Sequence, residues 1–104
     1  MNVVQAYFWL ETPGSARGLW FDLALVSGSG DDTSISLYET NMDCMVKRTL
    51  VTSSLAMALT SAGQWKTGCL DVSDKGDLEA IGVRIEAPSG VVGFDALRFG
   101  KSCE

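Results

Sequence analysis

The sequence predicts an all-β fold, an antiparallel β-sandwich, and three observations carry that expectation. Apolar residues recur with a period near two along almost the whole chain, which is the spacing of a strand with one face against a core. Clusters of Gly, Pro, Asn, Asp and Ser cut this pattern into seven or eight short runs, at the roughly 8–12-residue spacing of sandwich strands. Finally, the chain has 104 residues, of which 46% are hydrophobic and 20% charged. That is enough for one core and one domain, residues 1–104, and too little for two.

Each run follows from its residues. "VVQAYFWLET" alternates Val4, Ala6, Phe8 and Leu10 with Val3, Gln5, Tyr7 and Trp9. Both sets are largely apolar, so the first strand is expected to be covered on both faces. Pro13, Gly14 and Gly18 make "TPGSARG" a turn. In "LWFDLALV", Leu19, Phe21, Leu23 and Leu25 take one side, and Trp20, Asp22, Ala24 and Val26 the other. "SGSGDD" is a tight loop. "TSISLYET" points Ile35 and Leu37 inward and Ser34, Ser36 and Tyr38 outward. "NMDC" turns the chain into the strand "MVKRTLVTS". The stretch "SSLAMALTSAG" has helical propensity but is too short for a lasting helix, so it reads as a loop with one helical turn near Ser53 or Ser54. "GQWKTGCLDVS" reads as a strand with Trp65 in the core. "DKGD" turns, "LEAIGVRIEA" alternates Ile81, Val83 and Ile85 with Gly82, Arg84 and Glu86, "PSG" turns again, and "VVGFDALRF" closes the chain.

Charge and residue inventory exclude several functions. The net charge is −5, with eight basic residues and no basic cluster, so neither a nucleic-acid partner nor an anionic membrane surface is expected. No apolar run approaches the ~20 residues of a membrane helix, and the opening lacks the basic n-region and cleavage site of a signal peptide. Cys44, Cys69 and Cys103 match no zinc spacing, and the chain has no histidine. One disulfide with one thiol, or three thiols in a reducing compartment, both fit. Without histidine, nucleophilic catalysis by Ser or Cys lacks its usual base. "SGSGDD" is not followed by the Lys and helix of a phosphate loop, and "DVSDKGD", with Asp71, Asp74 and Asp77, is not an EF-hand pattern and reads as a solvated turn. The chain is therefore not expected to be an enzyme.

The last third, "GQWKTGCLDVS" followed by "LEAIGVRIEAPSGVVGFDALRF", resembles the closing half of the jelly-roll carbohydrate-binding modules with a galactose-binding-like fold. In those modules a Trp-bearing strand leads to a strand of the type "IGVRIE", a short Gly turn, and a final strand with an acid between apolar residues, here Phe94-Asp95-Ala96-Leu97-Arg98-Phe99. The opening "VQAYFWLET" is similar to an early strand of the same modules. The resemblance implies a jelly-roll sandwich, a carbohydrate ligand, and a structural calcium near the chain ends, with Asp95 as the ligand this sequence retains. Members of the family run longer before the position of Val3. Strands missing there would leave the first strand exposed, so a homo-oligomer is expected.

Asp95 raises a question of register. Strict alternation puts Phe94 and Leu97 on opposite faces, whereas a bulge at Asp95 and Ala96 lets Phe94, Leu97 and Phe99 all face the core. The carboxylate then needs partners: loop N–H groups, calcium, or a cation such as Arg98 or Lys101. Sugars offer apolar faces that stack on aromatic rings and hydroxyls that bond planar polar groups. The outward residues Trp20, Asp22, Tyr38, Arg84 and Glu86 supply both kinds of group and are candidates for one shared sheet face. Alternatively, Trp20 and Tyr38 lie under a loop or at a contact between copies. The sequence thus reads as a non-catalytic carbohydrate-binding module. The competing reading is a structural, self-assembling β-domain without a sugar ligand.

Overall fold

The structure, a computed structural model, describes residues 18–41, 43, 45–76, 78 and 80–103, together with the main chain of residues 4–11. Among the described residues there are seven strands, β1 (Val4–Glu11), β2 (Gly18–Gly28), β3 (Ser34–Thr40), β4 (Val46–Ser54), β5 (Lys66–Asp71), β6 (Ala80–Ala87) and β7 (Gly90–Gly100). They form a four-stranded sheet, β1-β6-β3-β4, and a three-stranded sheet, β5-β2-β7, with every strand pair antiparallel. The expected β-sandwich is therefore the fold. β2 pairs with β7 in one sheet while the strands next in sequence, β3 and β6, pair in the other. This nesting is that of a ribbon folded over on itself.

The period-two reading places the core correctly. Leu19, Phe21, Leu23 and Leu25 of β2 are buried against Ile35 and Leu37 of β3 and Ile81, Val83 and Ile85 of β6. Phe21 meets Phe94 of β7 with ring centroids 5.8 Å apart, within the range of favourable aromatic pairs. The helical turn expected in "SSLAMALTSAG" is a single 3₁₀ turn, Ala56–Ala58. The Ser54 hydroxyl accepts the Ala56 N–H just before it. In the "NMDC" turn, the Asn41 side chain accepts the N–H groups of Asp43 and Met45, as an Asx turn does. "DVSDKGD" is a turn as well: the Asp71 carboxylate accepts the Ser73 N–H at 2.8 Å, and bonding to Ser73 holds that carboxyl below its ordinary range. The "TPGSARG" turn, Cys44, Asp77 and the two-faced covering of β1 lie outside the described residues.

The bulge expected around Asp95 is present. β2 and β7 pair Trp20 with Arg98 but Asp22 with Asp95, so β7 carries one extra residue between these rungs. Ala96 takes a left-handed φ of 55° there. As a result Phe94, Leu97 and Phe99 all pack against the core. A second irregularity falls between Leu25 and Ser27, where the extra residue is on β2. The two offsets cancel, so both ends of the pair match Gly with Gly, Gly18 with Gly100 and Gly28 with Gly90.

Candidate functional site

The five outward residues do not share one face. Trp20 and Asp22 belong to β2 in the three-stranded sheet, whereas Tyr38 lies on β3 and Arg84 and Glu86 on β6, in the four-stranded sheet. For these five residues the alternation within each strand gives the outward side. It carries no information on which sheet a strand joins, so the expected single cluster divides into two, one on each side of the sandwich.

On the four-stranded sheet, Arg84 is hydrogen-bonded to Tyr38 and ion-paired with Glu86. The Tyr38 bond, then the Glu86 charge, raise the guanidinium above its ordinary value against the opposing effect of burial. Beside them Ser36 and Thr52 bond hydroxyl to hydroxyl at 3.3 Å. Tyr38, Arg84 and Glu86 are thus joined to one another, as Ser36 is to Thr52.

The outer face of the three-stranded sheet is different. Trp65 is 59% exposed, not in the core as the sequence reading had it. β5 begins at Lys66, opposite Leu23, so Trp65 continues the strand outward beside Ala24. The inward positions of β5 belong instead to Gly68 and Leu70. The parity of Leu70 and the buried Val72 was the signal in the sequence: Trp65 shares its side with Thr67 and Cys69. The benzene end of the indole reaches across to β7. A Cβ at Gly93 would sit 3.3 Å from ring atom Cη2 and 3.7 Å from both Cζ2 and Val26 Cγ2, so glycine there lets the ring lie close over the sheet.

Next along this face is a polar group that the sequence reading found only in part. Asp22 Oδ1 accepts the Thr67 hydroxyl at 3.0 Å and lies 3.5 Å from Arg98 Nη2. Arg98 Nη1 also donates to the Ala96 carbonyl at 2.6 Å, bracing the bulge. Asp95 stands opposite Asp22 in register. It is exposed and accepts the Ala96 N–H at 2.8 Å. Arg98 thus pairs with Asp22 rather than with Asp95. Two carboxylates supply few of the six to eight oxygens that calcium takes, and a guanidinium already stands beside them. Among the described residues, no three acidic, cysteine or histidine side chains gather around a common point.

Trp20 lies at the far end, half-buried, with its indole N–H donating to the Ser102 carbonyl at 3.0 Å. The chain after β7 crosses above it and is fastened by a Cys69–Cys103 disulfide. This is the first of the two cysteine readings as far as these two residues are concerned. The alternative placement of Trp20, under a loop, is the one observed. The chain matches no family model, no curated protein and no solved structure.

Proposed function

We propose that this β-sandwich binds a carbohydrate without catalysis, along the outer face of the three-stranded sheet. The observation that carries the reading is Trp65, an exposed indole laid over Gly93 with Asp22, Thr67 and Arg98 next to it. The ring offers an apolar surface for stacking on a pyranose. The carboxylate, hydroxyl and guanidinium offer acceptors and donors for its hydroxyls. The resemblance to galactose-binding-like modules agrees with this reading, and the exposed face supports it independently.

Shallow contacts of this kind give millimolar to micromolar affinity, roughly −4 to −8 kcal/mol. The test is a panel of plant, algal and microbial polysaccharides, with binding measured by calorimetry on the disulfide-intact protein. Trp65→Ala is expected to keep the melting temperature within a few degrees and to lose detectable binding. Absence of binding by the unmutated protein across the panel would reject the proposal.

A second reading, self-assembly as a structural β-domain, is favoured by one observation. β1 closes the four-stranded sheet with β6 as its one strand neighbour among the described residues. Such an edge offers a row of backbone donors and acceptors to another copy. Light scattering across a concentration series tests it: a mass fixed at one chain rejects self-assembly.

A further inference from the structure

We propose that the outer face of the three-stranded sheet selects a sugar that carries a charged amino group, with the sugar ring on Trp65 and the ammonium at Asp22 and Asp95. This selection rests on the carbohydrate reading of the same face. Strand register lays the face out in rows. One row runs from Thr67 through Asp22 to Asp95, and the next from Trp65, just before β5, past Ala24 to Gly93. In the second row the indole reaches across to Gly93. Ala24 between them is outward by parity yet only 3% exposed, which places the ring over it. Val26 and Val91, farther along, are exposed, so the platform continues as apolar surface on that side. On the other side, two residues or about 7 Å along β2, stand the two carboxylates. A pyranose lying on the indole therefore has an apolar surface under one end and acids beside the other.

Asp22 and Asp95 are direct partners across β2 and β7, and like charges placed opposite each other weaken a strand pair. Arg98 offsets only one of them. Its Nη2 lies 3.5 Å from Asp22, and its Nη1 is engaged with the Ala96 carbonyl. Two carboxylates against one guanidinium leave the group with one net negative charge. Lys66, next to Trp65, has the parity of Leu23 and points away from this face. Asp95 is exposed, and among the described residues its carboxylate accepts one hydrogen bond, from the Ala96 N–H. A carboxylate accepts several, so it has capacity for a donor from a ligand. An ammonium has three donors and no acceptor, which suits two groups that only accept. It also relieves their repulsion, and the indole face attracts a cation placed near it. A neutral sugar hydroxyl can bond either acid but leaves the repulsion in place. A uronate adds a third negative charge. The net charge of −5 on the chain favours a cationic ligand at longer range as well.

The experiment compares oligosaccharides of equal length and linkage that differ in one substituent: oligomers of glucosamine, N-acetylglucosamine and glucose, with an oligogalacturonate as the acidic counterpart. Binding is measured by calorimetry on the disulfide-intact protein at low salt and mildly acidic pH, which keeps the amino groups charged. The glucosamine oligomer is expected to bind about tenfold more tightly than the glucose oligomer, with the galacturonate weakest, and added salt should narrow the gap. Asp95→Asn retains an oxygen for the Ala96 N–H, and Asp22→Asn retains one for the Thr67 hydroxyl. Each should bring the ratio between the glucosamine and glucose oligomers down toward one. Trp65→Ala should remove binding of the glucosamine oligomer. A ratio near one in the unmutated protein overturns the selection and leaves the carbohydrate reading in place. Glucosamine binding that survives Trp65→Ala, or that an oligolysine matches, is the general attraction of a cation to an acidic protein and overturns it too. If neither these oligomers nor the polysaccharide panel binds, the selection and the carbohydrate reading fall together.

Discussion

Deleting Ala96 should leave the fold intact. Without it, β7 returns to strict alternation: Phe94 inward, Asp95 outward, Leu97 inward, Arg98 outward, Phe99 inward. Every rung on either side of the bulge keeps its present partner on β2. The losses are the two exposed hydrogen bonds at Ala96, from its N–H to Asp95 and from Arg98 to its carbonyl, each about 1 kcal/mol at most. Against them stands relief of a non-glycine residue at φ 55°, a conformation that costs roughly 1–2 kcal/mol. The net change should be about 1 kcal/mol or less, or roughly 4–8 °C in a domain of this size. Deleting Arg98 shortens the strand equally but shifts its frame. Collapse of the bulge would then seat Ala96 in the place of Leu97 and turn Leu97 out to solvent. The loss of that partly buried side chain costs about 2 kcal/mol, in addition to the pairing with Asp22. Thermal unfolding of the two deletions, followed by circular dichroism, decides the matter. If removing Ala96 is as damaging as removing Arg98, the bulge does not set the register.

Two further outcomes are expected. Thr33 is fully buried and its hydroxyl has no hydrogen-bond partner among the described residues, so Thr33→Val should raise stability by about 1 kcal/mol in urea unfolding; a loss would show that the hydroxyl is satisfied in solution. Arg98 pairs with Asp22, which faces Asp95 in register, so Arg98→Gln should lower the melting temperature, more so at low salt, while chelator leaves the unmutated protein unchanged; a chelator-induced drop that Asp95→Ala abolishes would point to calcium at Asp95 instead.

The sandwich and its core could be read from the sequence because burial repeats every second residue, and Leu19 to Leu25, Ile35 and Leu37, and Ile81 to Ile85 carry that repeat without interruption. Even the bulge could be read, since Phe94, Leu97 and Phe99 cannot all be buried without one. The candidate site was harder to read. Tyr38 and Arg84 look equivalent to Trp20 by alternation, and only the pairing of β2 with β5 and β7 separates them. Trp65 was misplaced because a tryptophan in a strand suggests burial, although Leu70 fixed the opposite parity. The covering of Trp20 by residues 100–103 depends on a contact across most of the chain length, and no local pattern records it.

The Cys69–Cys103 bond also changes how the protein would carry a mechanical load. β7 is an edge strand, and a pull on the chain beyond it would open its pairs with β2 one at a time, like a zip. With the disulfide closed, β6 and β7 both lie inside a covalent ring, and tension passes directly from β5 to Cys103. The 34-residue span between the two cysteines then carries no force and yields no length, shortening the extended chain by about 110–120 Å. Oxidation thus moves the point of mechanical failure away from the β2–β7 pair, which underlies the candidate site, and onto the pairing of β5 with β2.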